Sequence, residues 1–174
     1  FRRPGSRSAP CAGGRNPHAR LVLRAPYVLS PEHKSPVAAG LAFEMGVRFA
    51  VGRVSIVLAG DSAGGSMVLW AAGGMASREK IQGLVSLYGA FGGLEGPSHD
   101  AFGDNAESLN DTALRVMYGH LGCEDVSYFQ ARLSKAGAPL LLVEARCEPI
   151  DEDSDWLAAQ TDHPTTQLHA QDWR

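Results

Sequence analysis

The most constraining feature of the sequence is the pentapeptide Gly60-Asp61-Ser62-Ala63-Gly64, which has the pattern G-x-S-x-G. An apolar, β-branched run at residues 54–59 precedes it and predicts a short buried strand, and residues 65–72 after it predict a packed helix. A strand, this pentapeptide and a helix in succession indicate a nucleophile elbow, a sharp turn with a serine at its tip. Because strand and helix nearly touch in such a turn, we expect glycine to be required two positions before and two positions after Ser62. We also predict that the Ser62 backbone is strained and that its Oγ faces a pocket.

Glycine and serine are common in this chain, so the pentapeptide pattern alone is unspecific. The flanking strand and helix, together with a further glycine at Gly65, carry the prediction. The competing interpretation is an ordinary Gly-Ser turn in an α/β domain.

The composition restricts the classes of protein to which the chain can belong. With 174 residues, 44% of them hydrophobic, it is long enough to bury a single core. A net charge of −3 favours neither a nucleic-acid nor an anionic-membrane partner, and no apolar run is long enough to span a bilayer. The three cysteines are widely spaced and predict neither a disulfide framework nor a zinc site. We therefore expect a cytoplasmic protein without a metal or a cofactor.

Residues 1–19 differ in composition from the rest of the chain. They carry Arg2, Arg3, Arg7 and Arg15, no acidic residue and no apolar periodicity. An Arg- and Ser-rich leader without acids can be a transit peptide, but the missing amphipathic stripe favours a disordered or mistranslated end. The globular part is expected to begin at residue 20.

Segments of strand type and helix type alternate after this leader. Strands are predicted at residues 21–27, 54–59, 81–88, 139–143 and 165–170, and helices at residues 37–49, 63–77, 111–119 and 152–158. This alternation predicts an α/β fold with a mostly parallel sheet and helices on both faces. The loop at residues 90–105 is too long for a plain connector and is a candidate pocket rim, and Asp111 is a candidate N-cap for the helix that follows.

A serine nucleophile needs a base to take its proton and an acid to orient that base. In enzymes with a nucleophile elbow, the chain order is Ser, then Asp or Glu, then His. Glu148 follows the predicted buried strand that ends at Val143 and is the leading candidate for the acid, with Asp151 and Asp153 as alternatives. The other interpretation of these acids is a solvated loop and the first turn of a helix.

The base and the oxyanion donors are less well defined by the sequence. Only His163 and His169 follow Glu148; His163 precedes the last strand, at the wrong end of the sheet, and His169 lies within that strand as the possible base. The Ala63 N–H, at the start of a helix, is the predicted oxyanion donor. A second donor should come from a Gly-rich loop after an earlier strand, but residues 12–14 lie too close to the strand at residue 21 to serve.

Three segments of the chain resemble the α/β-hydrolase family related to hormone-sensitive lipase, which includes bacterial esterases and arylacetamide deacetylases. Residues 27–33, Y-V-L-S-P-E-H, resemble the family's Y-R-L-A-P-E-H segment, and residues 60–65 match its G-D-S-A-G-G. Residues 148–154 resemble its D-P-L-x-D-D-S, which implies that Glu148 is the acid of a catalytic triad. The resemblance extends from about Arg20 onward and implies a partial α/β-hydrolase fold.

The chain also departs from the family pattern. Val28 replaces the arginine of Y-R-L, Glu148 replaces the usual aspartate, and the family's His-Gly-Gly-Gly loop is absent upstream. The family's catalytic histidine follows the last strand and would fall a few residues beyond Arg174. The sequence therefore looks like the middle and end of an esterase cut at both sides, with residues 20–174 forming an incomplete domain.

The resemblance implies a serine carboxylic-ester hydrolase that acts through an acyl-enzyme on Ser62, with a small-molecule ester as its partner. The alternative is a catalytically inactive member of the same fold, either a ligand-binding or interaction module or a truncated relic, because a fold does not guarantee its chemistry. A peptidase of the same fold is a weaker third hypothesis.

Overall fold

The computed structural model describes residues 22, 24, 26–34, 36–41, 44, 55–74, 81–104, 109–120, 137–145, 148–161 and 164–170. Strands and helices alternate along these residues. The strands are β1 (Ile56–Asp61), β2 (Ile81–Leu87), β3 (Leu140–Ala145) and β4 (Thr165–Ala170), and the helices are α1 (Ala63–Gly74), α2 (Pro97–Phe102), α3 (Asp111–His120) and α4 (Asp151–Gln160). Among the helices described, none combines the length and the apolar character that crossing a membrane requires.

The four strands form one parallel sheet in the order β1-β2-β3-β4. The register aligns the last residues of neighbouring strands: Asp61 pairs with Leu87, Leu87 with Val143, and Val143 with Leu168. Because the strands are parallel, all four carboxyl ends meet at one edge of the sheet, which we call the carboxyl edge. The predicted α/β class and parallel sheet are therefore confirmed.

The main core lies between the sheet and two helices. Leu69 of α1 and Leu157 of α4 pack in one cluster with Leu84 of β2 and Leu142 of β3, and all four side chains are almost fully buried. Burial of one such leucine contributes roughly 2 kcal/mol. A second, smaller cluster joins α3 to the start of α4 through Leu114, Tyr118 and Ile150.

Most predicted elements are present with shifted ends. The last strand has the predicted bounds, the elbow strand runs two residues further than predicted, to Asp61, and α1 extends to Gly74, with residues 75–80 outside the described residues. The helix predicted at residues 37–49 is helical at residues 37–41 and 44, and its other positions lie outside the described residues.

The strand predicted at residues 21–27 is wrong for those of its residues that the structure describes. Val22, Arg24, Pro26 and Tyr27 are not in strand conformation, and Val22 is 83% exposed. Pro26 has no N–H to give to a neighbour, and a strand is stable only with a partner beside it. The Arg-rich leader at residues 1–19 lies outside the described residues, so the predicted domain boundary stays a prediction.

Candidate active site

Ser62 occupies a sharp turn at the carboxyl edge, between β1 and α1. Its φ is 50°, in the left-handed region that non-glycine residues rarely adopt, and it is exposed. The Ser62 N–H donates to the carbonyl of Leu87 at 2.9 Å, which ties the turn to the end of β2. Its own carbonyl accepts the Gly65 N–H at 2.9 Å, within the first turn of α1. The turn is therefore fixed from both sides while the serine side chain remains accessible.

The glycines of this turn are required at positions that differ partly from the prediction. A Cβ on Gly60 would collide with the backbone carbonyl of Gly64, so the requirement two residues before Ser62 is real. The expectation for Gly64 itself is wrong, because a Cβ there would meet only Asp61 Oδ1, at an ordinary 3.7 Å. The second sterically required glycine is Gly65, where a Cβ would collide with the buried hydroxyl of Ser86.

Ala63, the predicted oxyanion donor, is the first residue of α1. The first N–H groups of a helix have no acceptor within the helix and lie at the positive end of its dipole. The Ala63 N–H therefore lies where an anion beside Ser62 can be stabilised.

Glu148 lies three residues after β3, beyond the carboxyl edge, and is half-buried. Its carbonyl accepts the Asp151 N–H at 3.2 Å, which folds residues 148–151 into a turn that leads into α4. Burial, and then the negative charge of Asp151, raise the pKa of Glu148 above its usual value. A small cavity beside it is also bordered by Tyr88, Ile150 and Asp151. Ser62 and Glu148 thus lie at the same edge of the sheet, after β1 and β3.

Asp153 is not the solvated helix-turn acid that its position in the first turn of α4 indicates. It is 6% exposed, and its Oδ2 accepts the Phe91 N–H at 2.6 Å. Burial raises the pKa of Asp153, and hydrogen bonds from the backbone of residues 91–93 and from the Tyr118 hydroxyl oppose that shift. Tyr118 in turn accepts the Gly92 N–H at 3.1 Å. The Asp153 carboxylate therefore attaches the loop after β2 to α4. Because its oxygens already accept these hydrogen bonds, Glu148 is the better candidate acid.

A further buried acid, Glu144 in β3, was not singled out by the sequence patterns. It is 2% exposed, and its Oε1 accepts a hydrogen bond from Gln167 Nε2 of β4 at 3.0 Å. Glu144 directly follows the apolar run of residues 139–143, so the sequence places it at the end of the predicted strand and gives no sign of its burial. Its hydrogen bond to Gln167 indicates a link between β3 and β4.

The candidate base His169 is the fifth residue of β4 and pairs with Glu144. β2 and β3 lie between β4 and the strand that carries Ser62. At about 4.8 Å between neighbouring strands, the backbones of His169 and Ser62 are roughly 14 Å apart. The register therefore does not place His169 beside Ser62, and His163 lies outside the described residues.

The predicted rim loop contains the short helix α2 and, together with α3, borders a cleft of about 530 Å³. We call residues 90–104 and 109–120 the rim segment. Among the described residues, those that line the cleft all belong to this segment: Leu94, Glu95, Gly96, His99, Asp100, Gly103, Asp104, Asp111 and Arg115. The loop thus borders a cleft, but Ser62 and Glu148 do not line it, so its role as a rim of the active-site pocket stays a prediction.

Asp111 does not cap α3 as predicted. The cap is Asn110, whose Oδ1 accepts the Ala113 N–H at 2.9 Å. The Asp111 carboxylate instead accepts a hydrogen bond from Arg115 Nε at 3.0 Å and lies 2.9 Å from His99 Nε2. The hydrogen bond from Arg115, supported by His99, lowers the pKa of Asp111.

A family model described as alpha/beta hydrolase fold matches residues 16–171. Similar solved structures include an esterase of Pyrobaculum calidifontis, a thermostable esterase from Pseudomonas putida and carboxyl esterase 2 from the mycorrhizal fungus Tuber melanosporum. Their TM-scores are 0.69, 0.66 and 0.65, at sequence identities of 19%, 18% and 17%. Likeness at such identities shows the fold. A search of curated proteins found no match to the sequence.

The matches cover 83%, 82% and 82% of this chain but 54%, 51% and 55% of the three solved chains. The chain thus spans about half the length of the solved structures that it matches. That half contains the sheet edge at which Ser62 and Glu148 lie.

Proposed function

The chain belongs to the α/β hydrolase fold family, and from that premise we propose that it is a serine carboxylic-ester hydrolase in which Ser62 is the nucleophile. The observation that carries the proposal is the turn at Ser62, where an exposed serine with a φ of 50° follows a parallel strand and begins a helix. A strained serine in this strand-turn-helix context is the nucleophile elbow of the fold. Strain of this kind persists where the surrounding structure imposes it, and here it holds the hydroxyl at the carboxyl edge.

The proposed reaction has two acyl-transfer steps. Ser62 Oγ attacks the carbonyl carbon of the ester, and its proton passes to a histidine base and then to the departing alkoxide, so that an alcohol leaves and an acyl-Ser62 ester remains. A water molecule, deprotonated by the same base, attacks the acyl carbon and releases the carboxylic acid, and the proton returns to Ser62 Oγ. The Ala63 N–H stabilises the oxyanion in both steps.

Glu148 is the proposed acid that orients the base. Its place after β3 at the carboxyl edge supports this role, as does the chain order Ser then Glu. A half-buried carboxylate that lacks full solvation interacts strongly with an imidazolium beside it. Asp153 is a poorer choice, since Phe91 and its neighbours already occupy its oxygens.

The base is proposed to be a histidine in a loop that follows β4 at the same edge, beyond Arg174, because residues 171–174 contain no histidine. A loop leaving β4 there can turn back over β3 and β2 toward Ser62. The backbone of His169 lies in β4, which β2 and β3 separate from β1, so it does not reach Ser62. An His169→Asn variant is therefore expected to keep the reactivity of Ser62.

A fluorophosphonate phosphonylates activated serines, and it tests the proposal on a chain extended beyond Arg174 to include the histidine proposed to follow β4. We expect one adduct per chain, no adduct in Ser62→Ala, and normal labelling in Ser98→Ala, which removes another serine hydroxyl. Glu148→Gln should slow labelling by roughly a hundredfold or more, whereas its neighbour variant Asp151→Asn should not.

Two outcomes contradict the proposal: an unlabelled chain, or an adduct that persists in Ser62→Ala. An unlabelled chain that still binds a ligand at the carboxyl edge favours the inactive ligand-binding member of the fold. Equal slowing in Glu148→Gln and Asp151→Asn removes Glu148 from the proposed triad but leaves Ser62 as the nucleophile.

A further inference from the structure

Two non-glycine residues among those described have a positive φ, Ser62 at 50° and Tyr88 at 40°. Each is the first residue after a strand, and their strands, β1 and β2, are neighbours. Since Asp61 pairs with Leu87, Ser62 and Tyr88 follow the same row of the sheet at the carboxyl edge. A bulky aromatic residue is a genuine outlier in this conformation, and outliers of this kind cluster at functional sites.

Hydrogen bonds hold the Tyr88 backbone beside the Ser62 turn. The carbonyl that accepts the Ser62 N–H, at 2.9 Å, belongs to Leu87, the residue before Tyr88. The Tyr88 N–H donates to the carbonyl of Val143 in β3 at 2.6 Å. Adding the standard dimensions of the Leu87–Tyr88 peptide to the 2.9 Å hydrogen bond places the Cα of Tyr88 within about 6 Å of the Ser62 nitrogen.

The residue after Tyr88, Gly89, lies at a crowded position. Gly89 is buried, and a Cβ on it would collide with the Ser86 hydroxyl and with the ring of Phe91. The chain therefore passes through a crowded point immediately after Tyr88. Tyr88, with its φ of 40°, thus stands directly before a position that admits no side chain without a rearrangement of Ser86 and Phe91.

The ring of Tyr88 is partly open to solvent at this edge. The residue is 40% exposed, and it borders the small cavity that Glu148 and Ile150 also border. Tyr88 thus borders the same cavity as the proposed acid, Glu148, while its backbone lies beside the turn of the proposed nucleophile, Ser62. A fully buried tyrosine would be a core residue. Because Tyr88 is exposed at this edge, its ring is available to a bound molecule.

We propose that Tyr88 determines substrate specificity: its ring bounds the space beside the ester carbonyl and limits the bulk of the acyl group next to that carbon. This inference rests on the proposed function, because it needs an ester on Ser62. The backbone of Tyr88 is close enough to Ser62 that its ring meets the first carbons of the acyl group rather than a distant part of the substrate. The acyl groups accepted are then small and unbranched beside the carbonyl.

The test compares p-nitrophenyl acetate with p-nitrophenyl isobutyrate, which is branched beside the carbonyl. In Tyr88→Gly the ratio of kcat/KM for isobutyrate over acetate should rise roughly tenfold, as expected for space gained next to the reacting carbon. Glycine adopts a φ of 40° without strain, so the melting temperature of this variant should stay the same or rise. Tyr88→Phe keeps the ring and should keep the ratio of the unmodified chain.

A role in stability alone cannot produce a changed ratio together with an unchanged or higher melting temperature. If acetate is hydrolysed in a Ser62-dependent way and the ratio is unchanged in Tyr88→Gly, the inference is overturned and the proposed function stands. A Tyr88→Phe variant that behaves like Tyr88→Gly overturns it as well, since the hydroxyl would then matter more than the ring. Should the glycine variant fail to fold, Tyr88→Asn gives the same comparison, because asparagine tolerates a positive φ. A chain that hydrolyses neither ester and leaves Ser62 unlabelled by the fluorophosphonate overturns both proposals.

Discussion

The turn at Ser62 and the rim segment lie at the same end of the molecule, but contacts of very different range along the chain hold them in place. In the turn, the close approach is between Gly60 and Gly64, four positions apart. In the rim segment, Phe91 bonds to Asp153, 62 positions away, and Ser98 bonds to Glu152, 54 positions away. The turn therefore combines a close approach within its own sequence with a hydrogen bond to Leu87 and close packing against Ser86 of β2, whereas the rim segment is attached to α4 over more than fifty positions.

This difference decides how each region responds to a substitution. A change in the turn acts through backbone crowding at one point, and a neighbouring position only a few residues away should be insensitive. A change in α4 acts at a distance, on backbone N–H groups of the loop after β2. Four predictions test this contrast.

The largest expected effect is that of Gly60→Ala. Its Cβ would collide with the Gly64 carbonyl, a backbone group that cannot move aside, so we expect a loss of about 4 kcal/mol in the free energy of unfolding. Gly64→Ala is the matched control, because its Cβ has room and alanine favours the helix; its effect should lie between zero and a gain of about 1 kcal/mol. Urea unfolding measures both. Equal losses in the two variants would show that crowding between Gly60 and Gly64 does not shape the turn.

Asp153→Ala should cost about 3 kcal/mol, because the variant leaves the buried N–H of Phe91 and its neighbours without an acceptor. Hydrogen exchange should accelerate at residues 91–93 more than in the turn at Ser62. Asp155→Ala, on the same helix, removes an exposed carboxylate bonded to Gln167 and should change stability by less than about 0.5 kcal/mol. Loss of exchange protection spread evenly over both regions would contradict the long-range attachment.

A double-mutant cycle joins the turn to β2. Gly65→Ala should cost about 2 kcal/mol, because its Cβ would collide with the Ser86 hydroxyl. Ser86→Ala should be neutral or stabilising, since that hydroxyl is buried without a hydrogen-bond partner among the described residues. In the double variant the cost of Gly65→Ala should fall by about 1 kcal/mol, with the remainder due to the Gly89 Cα at 3.2 Å. If the stability changes of the two single variants add exactly in the double variant, the Ser86 hydroxyl is not the group that crowds residue 65.

The smallest expected effect concerns the pH dependence of stability at Glu148. Its pKa is raised in the folded chain by burial and by Asp151, so folding favours the protonated form. The resulting stabilisation is present below the usual pKa of glutamate and is lost as the pH rises through the raised value. The melting temperature of Glu148→Gln minus that of the unmodified chain should therefore be larger at neutral pH than at pH values below the usual glutamate pKa. A difference in melting temperature that does not change between the two pH values would show that Glu148 is fully solvated.

The same contrast explains which features the sequence allowed us to predict. Apolar runs flanked by glycine and the G-x-S-x-G pattern located β1, α1 and Ser62, because those features depend on neighbours in the chain. The burial of Asp153 was not predictable, since its partners in residues 91–93 and Tyr118 are distant in sequence. Asn110 rather than Asp111 caps α3, and the Asp111 carboxylate contacts His99, twelve positions away, and Arg115 instead. The positive φ of Tyr88 was not predicted either, because tyrosine rarely adopts this conformation and the sequence around it has no motif that signals it.

The central claim is that the turn at Ser62 presents an acyl-accepting nucleophile. The most direct measurement is peptide mass spectrometry of the chain after brief exposure to p-nitrophenyl acetate and rapid acid quenching. Our account predicts an acetyl group on the peptide that contains Ser62, formed with release of an equivalent amount of p-nitrophenol, and its loss in Ser62→Ala. Acetylation confined to other residues, or p-nitrophenol released equally by Ser62→Ala, would contradict it.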